Sequence, residues 1–396
     1  MFEKIDLVIL AGGYGTRIKA ISKGIPKPIL KLNNYTVLDY ILMNFSKYKF
    51  RKIFIIAGYK GHLIKKKYND KEYNLTKINV IIEKNPQGTA TALNKIQSTC
   101  SKNFILVNGD TIFNIDLEDF YSKSKLVKNS IAAIALCENK KNKYNKKLNY
   151  LTLKNNKIRI NNFGHLMNGG IYLINKKIFK YINNKTHSLE NDVVIQLINK
   201  NKISGVFFKN FLIDIGTPKT FKQAKYIIPR KFKKPAAFLD RDGVINEELG
   251  YVHNYKDFIY RKGVVQGLKH LIKKNYYIFI VTNQAGIAKK KFLLEDFLLL
   301  HAKIDKHLKK NKVYTDDIIY CPYHHKSQIK KYKKNSILRK PKPGMIKEIL
   351  KKFDIDLNQS FVIGDQKKDE LMAKKMNINF EYAKKNFFKQ IKNITK

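Results

Sequence analysis

The sequence has few cysteines, no long apolar run and no visible internal repeat. Its three cysteines, Cys100, Cys137 and Cys321, are far apart and form no CxxC pair, which argues against a disulfide framework or a cysteine-rich zinc site and favours a reducing compartment. No uncharged stretch approaches the roughly 20 residues that a membrane-spanning helix requires. The N-terminal residues, MFEKIDLVILAGG, lack a basic region before the apolar run, so no signal peptide is expected. We therefore expect a cytoplasmic protein without a membrane partner.

Acidic residues are also scarce. The chain has 31 Asp and Glu against 79 Lys and Arg, a net charge of +48, which raises the alternative of a nucleic-acid-associated protein. However, the excess is mostly lysine, is spread along the whole chain and accompanies many Asn and Ile residues, which is typical of compositional drift towards AT-rich codons. A nucleic-acid-binding surface would concentrate arginine and aromatic residues on one element. The composition therefore predicts a solvated lysine surface and no nucleic-acid partner.

The length and the apolar pattern predict two domains. A chain of 396 residues is too long for one typical core. Short apolar runs bounded by turn residues predict buried strands of parallel sheets; they are 6–10, 52–56, 79–82, 104–107, 236–239, 277–281 and 360–363. Segments with helical periodicity, such as 37–47 and 264–274, lie between them. This alternation predicts an α/β fold with two doubly wound domains, 1–228 and 236–396, joined by a basic, proline-containing linker at 229–235.

A glycine-rich loop follows the first predicted strand. Gly12, Gly13 and Gly15 allow positive φ and let backbone N–H groups approach a phosphate, while Thr16 and Arg17 begin a predicted helix whose N-terminus would favour an anion. The loop has neither the GK[ST] of a P-loop nor the full glycine pattern of the dinucleotide-binding fingerprint. A tight strand–helix turn alone would also use glycines, so the loop needs support from other residues.

That support comes from four residues further along the chain. Lys27 lies between two prolines, which hold a cation on a stiff backbone, and Gly88 could admit a base or a ribose against the main chain. Asp110 and Asp214 each end an apolar run, where ligands bind in such sheets. The pattern indicates a site for a phosphorylated ligand with two carboxylates nearby.

The first 225 or so residues resemble the sugar-nucleotide pyrophosphorylase family, whose G-G-x-G-T-R, P-K-P, G-T-A, N-G-D and D-I-G-T-P elements occur here in order. The resemblance implies that the loop amides, Arg17 and Lys27 hold a nucleoside triphosphate and that Asp110 and Asp214 bind Mg²⁺. A sugar 1-phosphate would attack the α-phosphorus and expel pyrophosphate without a covalent protein intermediate. Three residues match the family's sugar-contacting positions: Asn168, Gly170 and Glu190. A strand-edge turn and a surface glutamate would give the same pattern.

Polar residues also follow three predicted strands of the second domain. Asp240 and Asp242 come directly after one apolar run, Thr282 ends another and Asp365 ends a third, while Lys340 lies in a rigid, proline-rich segment. A capping aspartate and a turn aspartate would explain the first pair but not the other residues. A nucleophile, an acid/base, a hydroxyl, a lysine and a magnesium carboxylate are the groups that phosphoryl transfer through an aspartyl-phosphate requires.

The order of these residues resembles the haloacid dehalogenase-like superfamily. The resemblance implies that Asp240 attacks phosphorus and that Asp242 protonates the departing sugar oxygen and then activates water. Thr282 and Lys340 would bind the transferred phosphoryl group, and Asp240, Asp365 and the backbone carbonyl of Asp242 would hold Mg²⁺. Two further substrate-binding candidates are Asn283 and Arg339, and the alternative to Lys340 is Lys342.

Within that superfamily, segments 250–253, 284–288 and 339–345 resemble the heptose bisphosphate phosphatase group. Histidinol-phosphate phosphatases, their near relatives, have a different continuation after the Asn–Gln pair. The group usually holds a zinc ion in a loop of Cys-x-His and Cys-x-Cys pairs, but Tyr323, Ser336 and Leu338 stand where three of these four ligands would be. Because tetrahedral zinc needs about four N or S ligands, we predict no zinc.

Together, the two resemblances imply a bifunctional enzyme of nucleotide-sugar biosynthesis that uses Mg²⁺ in both domains. Segments 12–28 and 108–117 are similar to heptose 1-phosphate guanylyltransferases. The expected substrates are small molecules: D-glycero-D-manno-heptose 1,7-bisphosphate, which would lose its 7-phosphate, and GTP, which would yield GDP-heptose for a bacterial surface polysaccharide. Two alternatives are the same reactions on mannose or glucose 1-phosphate with another NTP, and a basic nucleic-acid-associated protein with degenerate enzyme domains.

Overall fold

The computed structural model describes residues 2–124, 129–139 and 150–396. The chain divides into two compact units: one extends to Ile228, and the other consists of Pro229–Lys396 together with the short segments Phe45–Tyr48 and Tyr73–Leu75. In the described part of the chain, no helix has both the length and the apolar character needed to cross a bilayer.

The first unit is built on a ten-stranded mixed sheet, with two further two-stranded pairs. In chain order its strands are β1 (Asp6–Ala11), β2 (Lys31–Leu32), β3 (Tyr35–Thr36), β4 (Ile53–Ala57), β5 (Glu72–Tyr73), β6 (Thr76–Ile82), β7 (Asn103–Asn108), β8 (Thr111–Phe113), β9 (Ala132–Glu138), β10 (Leu151–Lys154), β11 (Lys157–Ile160), β12 (Leu166–Asn175), β13 (Ile203–Phe207) and β14 (Leu212–Asp214). The large sheet has the order β10-β11-β13-β9-β12-β7-β1-β4-β6-β5, and β2–β3 and β8–β14 are the separate pairs.

The central strands explain where a ligand can bind. β1 pairs in parallel with both β4 and β7, while β12 is antiparallel to β7. The strand order therefore reverses at β1, and the crevice beyond the carboxyl ends of β1 and β7 is the expected ligand position in such a sheet. β1, β4 and β7 are apolar on both faces because both faces are covered. Val8, Ile56 and Leu106 are fully buried in one cluster, where each such side chain contributes about 1.5–3 kcal/mol of transfer free energy.

The helices of the first unit are α1 (Lys19–Ser22), α2 (Val37–Phe45), α3 (Gly61–Tyr68), α4 (Thr89–Leu93), α5 (Leu117–Ser124), α6 (Ile195–Asn199) and α7 (Pro218–Phe232), with one π-helical segment at Leu189–Val194. α7 continues into the second unit, so the beginning of the segment predicted as a linker, 229–235, is helical.

The helix that follows the glycine-rich loop is shorter than the sequence predicted. A 3₁₀ turn at Thr16–Ile18 leads into α1, which has a single turn. The helix cannot continue because Lys23 and Gly24 both have positive φ and Pro26 follows. The expected contribution of a helix N-terminus to phosphate binding is therefore small, since a macrodipole needs several aligned turns.

The second unit has a five-stranded, wholly parallel sheet of order β17-β16-β15-β18-β19. Its strands are β15 (Ala236–Leu239), β16 (Tyr277–Asn283), β17 (Asp317–Cys321), β18 (Phe361–Gly364) and β19 (Asn379–Tyr382). Its helices are α8 (Val264–Lys273), α9 (Ala285–Ala288), α10 (Leu294–Lys310), α11 (Gly344–Leu350), α12 (Lys367–Lys374) and α13 (Phe387–Ile394). Because β15 lies between β16 and β18, the residues that follow these three strands meet at one edge. The predicted α/β class with two doubly wound domains is confirmed.

Candidate active sites

A cavity of about 440 Å³ opens beyond the carboxyl ends of β1 and β7, and a second cavity of about 210 Å³ shares Arg17 and Asp110 with it. Every residue predicted for the first site lines at least one of these cavities: Gly12, Gly13, Gly15, Thr16, Arg17, Lys27, Gly88, Asp110, Asn168, Gly170, Glu190 and Asp214. The fold thus brings together residues that are up to 200 positions apart in the sequence, as the sheet topology requires.

Asp110 and Asp214 approach each other because β8 and β14 pair, with Thr111 opposite Asp214. Lys27, which is buried, places its Nζ 2.5 Å from Asp110 Oδ2 and 3.9 Å from Asp214 Oδ1. Burial opposes ionisation of Asp110, but the charge of Lys27 and its hydrogen bond outweigh that effect, so the pKa of the Asp110 carboxyl is lowered. Both carboxylates therefore lie within reach of one cation, and their oxygens suit a hard divalent ion.

Glu190 lies on the π-helical segment, a rare conformation that often occurs at functional sites. Its Oε1 accepts hydrogen bonds from Asn168 Nδ2 at 3.0 Å and from Asn108 Nδ2 at 3.4 Å. Gly170 has φ +73°, and a β-carbon there would lie 3.1 Å from Asn108 Nδ2, so this position favours glycine. The glutamate is only partly exposed and faces the cavity within a network of amide side chains.

Glu83 also lines the larger cavity, although it was not among the predicted site residues. It is 6% exposed, and burial raises the pKa of its carboxyl, an effect that Lys95 partly offsets. A β-carbon on Gly12 would lie 2.9 Å from Glu83 Oε2, so the glycine-rich loop passes directly against this carboxylate. A signal for it existed in the sequence, because Glu83 is the first polar residue after an apolar parallel strand.

The second site is centred on a buried lysine between two aspartates. Lys340 is 2% exposed, and its Nζ lies 2.5 Å from Asp240 Oδ2 and 2.6 Å from Asp369 Oδ1. Burial raises the pKa of Asp240 to about 6; the positive charge of Lys340 opposes this shift and the negative charge of Asp369 adds to it. Lys342 instead donates to Asn335 Oδ1 at 2.7 Å, so Lys340 is the lysine that contacts the carboxylates.

Three carboxylates of this site can face one metal ion. Oxygens of Asp240, Asp365 and Asp369 lie within 4.8 Å of one another, and within the described ranges this is the one such group of three. Asp365 Oδ1 is buried and has no hydrogen-bond partner among the described residues. A buried, unsatisfied carboxylate oxygen is costly, and the donor set suits a divalent cation. Asp369, four residues after Asp365, was not among the predicted ligands.

Asp242 is surrounded by hydrogen-bond donors. Its oxygens accept from Arg241, from Asn246 Nδ2 at 3.1 Å and from Gln284 Nε2 at 3.0 Å. Gln284 Nε2 also donates to Thr282 Oγ1 at 2.9 Å, which links the end of β16 to Asp242. The carboxylate is thus held at the same sheet edge as Asp240.

Asn283 and Arg339 lie next to the buried lysine but are not part of the carboxylate cluster. Asn283 Oδ1 accepts from the backbone N–H of Lys340 at 3.1 Å, and Arg339 Nη1 donates to the Tyr323 carbonyl at 3.4 Å. The loop that would carry zinc in related proteins is held by hydrogen bonds here, since Cys321 Sγ also contacts the Tyr323 carbonyl, at 3.8 Å. The lack of zinc remains a prediction.

Comparisons with known proteins match both parts of the chain. Residues 7–231, more than half of the chain, match the family model described as Nucleotidyl transferase, and residues 236–394 match Polynucleotide kinase 3 phosphatase. The D-glycero-beta-D-manno-heptose-1,7-bisphosphate 7-phosphatase of Vibrio cholerae is 43% identical over 140 residues, which are 35% of this chain and 75% of that protein.

Two further relatives are similar to different parts of the chain. The D-glycero-alpha-D-manno-heptose-1,7-bisphosphate 7-phosphatase of Photorhabdus laumondii is 40% identical over 137 residues, 35% of this chain and 75% of that protein. The crystal structure of HddC from Yersinia pseudotuberculosis is 27% identical, with a TM-score of 0.46, and covers 56% of this chain and 98% of that one.

The family matches confirm the two resemblances that the sequence motifs indicated. Residues from the motifs of the first resemblance line the cavity at β1 and β7. Residues from the motifs of the second resemblance form part of the carboxylate cluster at β15. The chain belongs to the nucleotidyl transferase family and also to that of the heptose bisphosphate 7-phosphatases, and so it joins a nucleotidyltransferase and a phosphatase in one enzyme.

Proposed function

We propose that this enzyme removes the 7-phosphate of D-glycero-D-manno-heptose 1,7-bisphosphate and then converts the heptose 1-phosphate and GTP into GDP-heptose and pyrophosphate. The observation that carries this proposal is that two separate phosphate-handling sites occur in one chain whose phosphatase relatives are named for a sugar bisphosphate. The first reaction leaves the 1-phosphate that the second one consumes. The proposed sugar phosphate and nucleotide substrates favour a cytoplasmic location, as do the three buried cysteines, which form no disulfide.

In the phosphatase unit, Asp240 is the proposed nucleophile. An oxygen of Asp240 forms a bond to phosphorus while the bond from phosphorus to the sugar oxygen breaks, and that oxygen takes a proton from Asp242. Water then attacks the phosphorus and gives a proton to Asp242, which releases inorganic phosphate and restores Asp240. Lys340, already in contact with Asp240, supplies a fixed positive charge beside the transferred group.

Magnesium is the proposed cofactor of both units. In the phosphatase, Asp240, Asp365 and Asp369 would hold it, and in the nucleotidyltransferase Asp110 and Asp214 would do so. When bound, such an ion neutralises phosphate charge and orients the phosphate oxygens. The carbonyl of Asp242 stays a candidate ligand, since Gly243 next to it lies against the Asp365 carboxylate.

In the nucleotidyltransferase unit, the proposed chemistry is direct displacement. An oxygen of the sugar 1-phosphate attacks the α-phosphorus of GTP, and the bond to the β-phosphate oxygen breaks, so that pyrophosphate leaves. Arg17 and the backbone of the glycine-rich loop line the cavity where the triphosphate would lie, and Lys27 holds the two aspartates in place. Glu190 and Asn168 offer polar groups to the sugar hydroxyls at the other end of the cavity.

Glu83 supports guanine as the base. Guanine presents two adjacent donors on its pairing edge, the ring N–H and the exocyclic amino group, and a carboxylate can accept both. No other common base has two adjacent donors there. Because Glu83 is buried beside the glycine-rich loop, a base without these donors would leave the carboxylate without partners, which is costly.

The test is one incubation with defined substrates. The purified enzyme receives Mg²⁺, heptose 1,7-bisphosphate as either anomer, and each of the four NTPs in turn, and the products are identified by mass spectrometry. We expect release of inorganic phosphate whether or not an NTP is present. We expect a nucleotide sugar with GTP, as GDP-heptose, and none with the other three NTPs. Nucleotide-sugar formation from mannose 1-phosphate or glucose 1-phosphate in preference to the heptose would contradict the substrate assignment while leaving the reaction classes intact.

A further inference from the structure

Arg241, the residue between the two phosphatase aspartates, is 1% exposed although it carries a charge. Its Nη2 donates to both oxygens of Asp242 at 2.9 Å, and its Nε donates to Oδ1 at 3.1 Å. Nη2 also donates to the Val252 carbonyl at 2.8 Å, and the guanidinium carbon lies 5.9 Å from the centre of the Phe297 ring. The planar guanidinium is therefore fixed by its surroundings and in turn fixes the plane of the Asp242 carboxyl group.

The burial of this arginine has a cost, because one of its charged donors is left without a partner in the described part of the chain. Its Nη1 is buried and has no hydrogen-bond partner among the residues that the structure describes. Leaving a charged donor unsatisfied destabilises a fold. Asn246 donates to Oδ1 and Gln284 to Oδ2, one hydrogen bond each, whereas of these three residues Arg241 alone contacts both oxygens.

We infer that Arg241 is a positioning residue that directs the carboxyl group of Asp242 at the leaving oxygen of the phosphate ester. The inference rests on the proposed phosphatase function. As the Asp240–phosphorus bond forms and the phosphorus–oxygen bond breaks, the electron pair goes to the sugar oxygen, and the proton of Asp242 moves to it. Without Arg241, only Asn246 and Gln284 of these donors would hold this carboxyl group, and its looser alignment would slow the transfer, because proton transfer needs hydrogen-bond geometry.

This role predicts an effect that depends on the leaving group. An alkoxide such as the heptose C7 oxygen is a poor leaving group and needs the proton, whereas p-nitrophenolate leaves without one. The ratio of kcat/KM for the two esters therefore reports proton delivery separately from phosphate binding and from attack by Asp240. The ratio is also independent of the fraction of protein that is folded, since both esters are assayed on the same preparation.

The experiment compares wild-type enzyme with Arg241→Lys and Arg241→Gln, in the full-length chain with Mg²⁺. The substrates are heptose 1,7-bisphosphate and p-nitrophenyl phosphate. We expect Arg241→Lys to lower kcat/KM for the heptose ester about 10- to 100-fold and that for the aryl ester less than about threefold, with a larger difference for Arg241→Gln.

The matched control is Lys309→Met, which removes another poorly exposed cation of the same unit, one that pairs with Asp305 at 2.6 Å on α10. It should leave the ratio unchanged even if the protein becomes less stable. If both Arg241 variants lose the two activities equally, the inference fails although the phosphatase function stands. If the wild-type enzyme hydrolyses neither ester, the proposed function fails and the inference with it.

Discussion

Asp240 illustrates how much of this enzyme depends on single carboxylates. Replacing it by asparagine keeps the shape and an oxygen that can accept from Lys340, but removes the proposed nucleophile. We expect Asp240→Asn to lower phosphatase activity at least about 10³-fold and to leave guanylyl transfer to heptose 1-phosphate unchanged. Phosphate release and pyrophosphate release, measured separately on the same protein, check both parts. A variant that keeps its phosphatase activity would contradict the aspartyl-phosphate route.

Glu83 gives a prediction about the base. In Glu83→Gln one acceptor oxygen is replaced by an amide donor, which would repel the amino group of the guanine proposed to bind there. Since a hydrogen bond to a charged group contributes about 1.5–3 kcal/mol, kcat/KM with GTP should fall about 10- to 100-fold.

The four NTPs are compared with heptose 1-phosphate as acceptor, in wild type and variant. The values of kcat/KM with the other three NTPs should change little. The ratio of kcat/KM for GTP to that for the other NTPs should therefore become smaller. The conservative control is Glu83→Asp, which keeps the charge but shortens its reach. An unchanged GTP preference in Glu83→Gln would show that the base is read elsewhere.

A third residue, Asp316, predicts how stability depends on pH. It is buried, its Oδ2 accepts from the Ile278 backbone N–H at 2.8 Å, and burial raises its pKa to about 6. Because the pKa of this carboxyl group is raised in the folded state, the free energy of unfolding falls as pH rises from the unfolded pKa, about 4, through 6. The loss is at most about 3 kcal/mol, because one pKa unit corresponds to about 1.4 kcal/mol.

In Asp316→Asn this pH-dependent loss should disappear. The stability of the variant relative to wild type should therefore rise between pH 4 and pH 7, by up to about 3 kcal/mol, and then stay level. Calorimetric melting at several pH values measures the difference, and Asp257→Asn, at an exposed position, is the control. A difference that does not change with pH would show that Asp316 ionises normally in the folded protein.

At the scale of residues, site residues that lie within recognisable motifs could be predicted from the sequence. Site residues outside such motifs could not. Lys340 could be preferred to Lys342 from its motif, and the structure places Lys340 at the carboxylates. Glu83 and Asp369 were not predicted as site residues, because a glutamate before a loop and an aspartate on a helix are common surface residues. Only the packing of Gly12 and the proximity of Lys340 show that these two carboxylates face the sites.

At the scale of elements, Gly88 lies where two segments that line the larger cavity of the first unit meet. It has φ +130°, and a β-carbon there would overlap the His187 carbonyl oxygen. That carbonyl accepts from the Ala90 N–H at 3.0 Å, just before the π-helical segment that carries Glu190. Gly88→Ala should therefore displace this segment, with strain of about 1–3 kcal/mol, and lower nucleotidyltransferase kcat/KM about 10-fold or more.

The matched control is Thr91→Ala, which removes one hydrogen bond to the Gly88 carbonyl, at 2.9 Å, without adding bulk. It should change the rate less than about threefold. Phosphatase activity, which uses residues after 236, should be unaffected in both variants. If Gly88→Ala is as active as wild type, this turn does not position Glu190.

Strands were predictable to within a few residues, and connections were not. The run 236–239 is β15, and the run 104–107 lies within β7 (Asn103–Asn108), because continuous apolar runs in a parallel sheet have sharp polar ends. The helix expected after the glycine-rich loop is a single turn, since two residues with positive φ end it. The π-helical segment has no sequence signal at all, because it depends on how the chain packs around Glu190.

At the scale of the whole molecule, each site is built within its own unit. The described residues that line the first cavities all lie between Leu10 and Gly216, and the carboxylate cluster of the phosphatase lies between Asp240 and Asp369. Among the residues that the structure describes, the two sets share no side chain. The two reactions should therefore be separable by mutation and linked only by heptose 1-phosphate, which one site releases and the other binds.

This separation predicts complementation between two inactive chains. Asp214→Asn should release phosphate from heptose 1,7-bisphosphate but form no GDP-heptose, because it lacks one of the two carboxylates proposed for magnesium. Asp240→Asn should convert only added heptose 1-phosphate. Mixed in equal amounts with heptose 1,7-bisphosphate, GTP and Mg²⁺, the two variants should restore GDP-heptose formation after a lag, as free heptose 1-phosphate accumulates. A mixture that stays inactive while each variant keeps its remaining reaction would mean that the intermediate does not pass through solution.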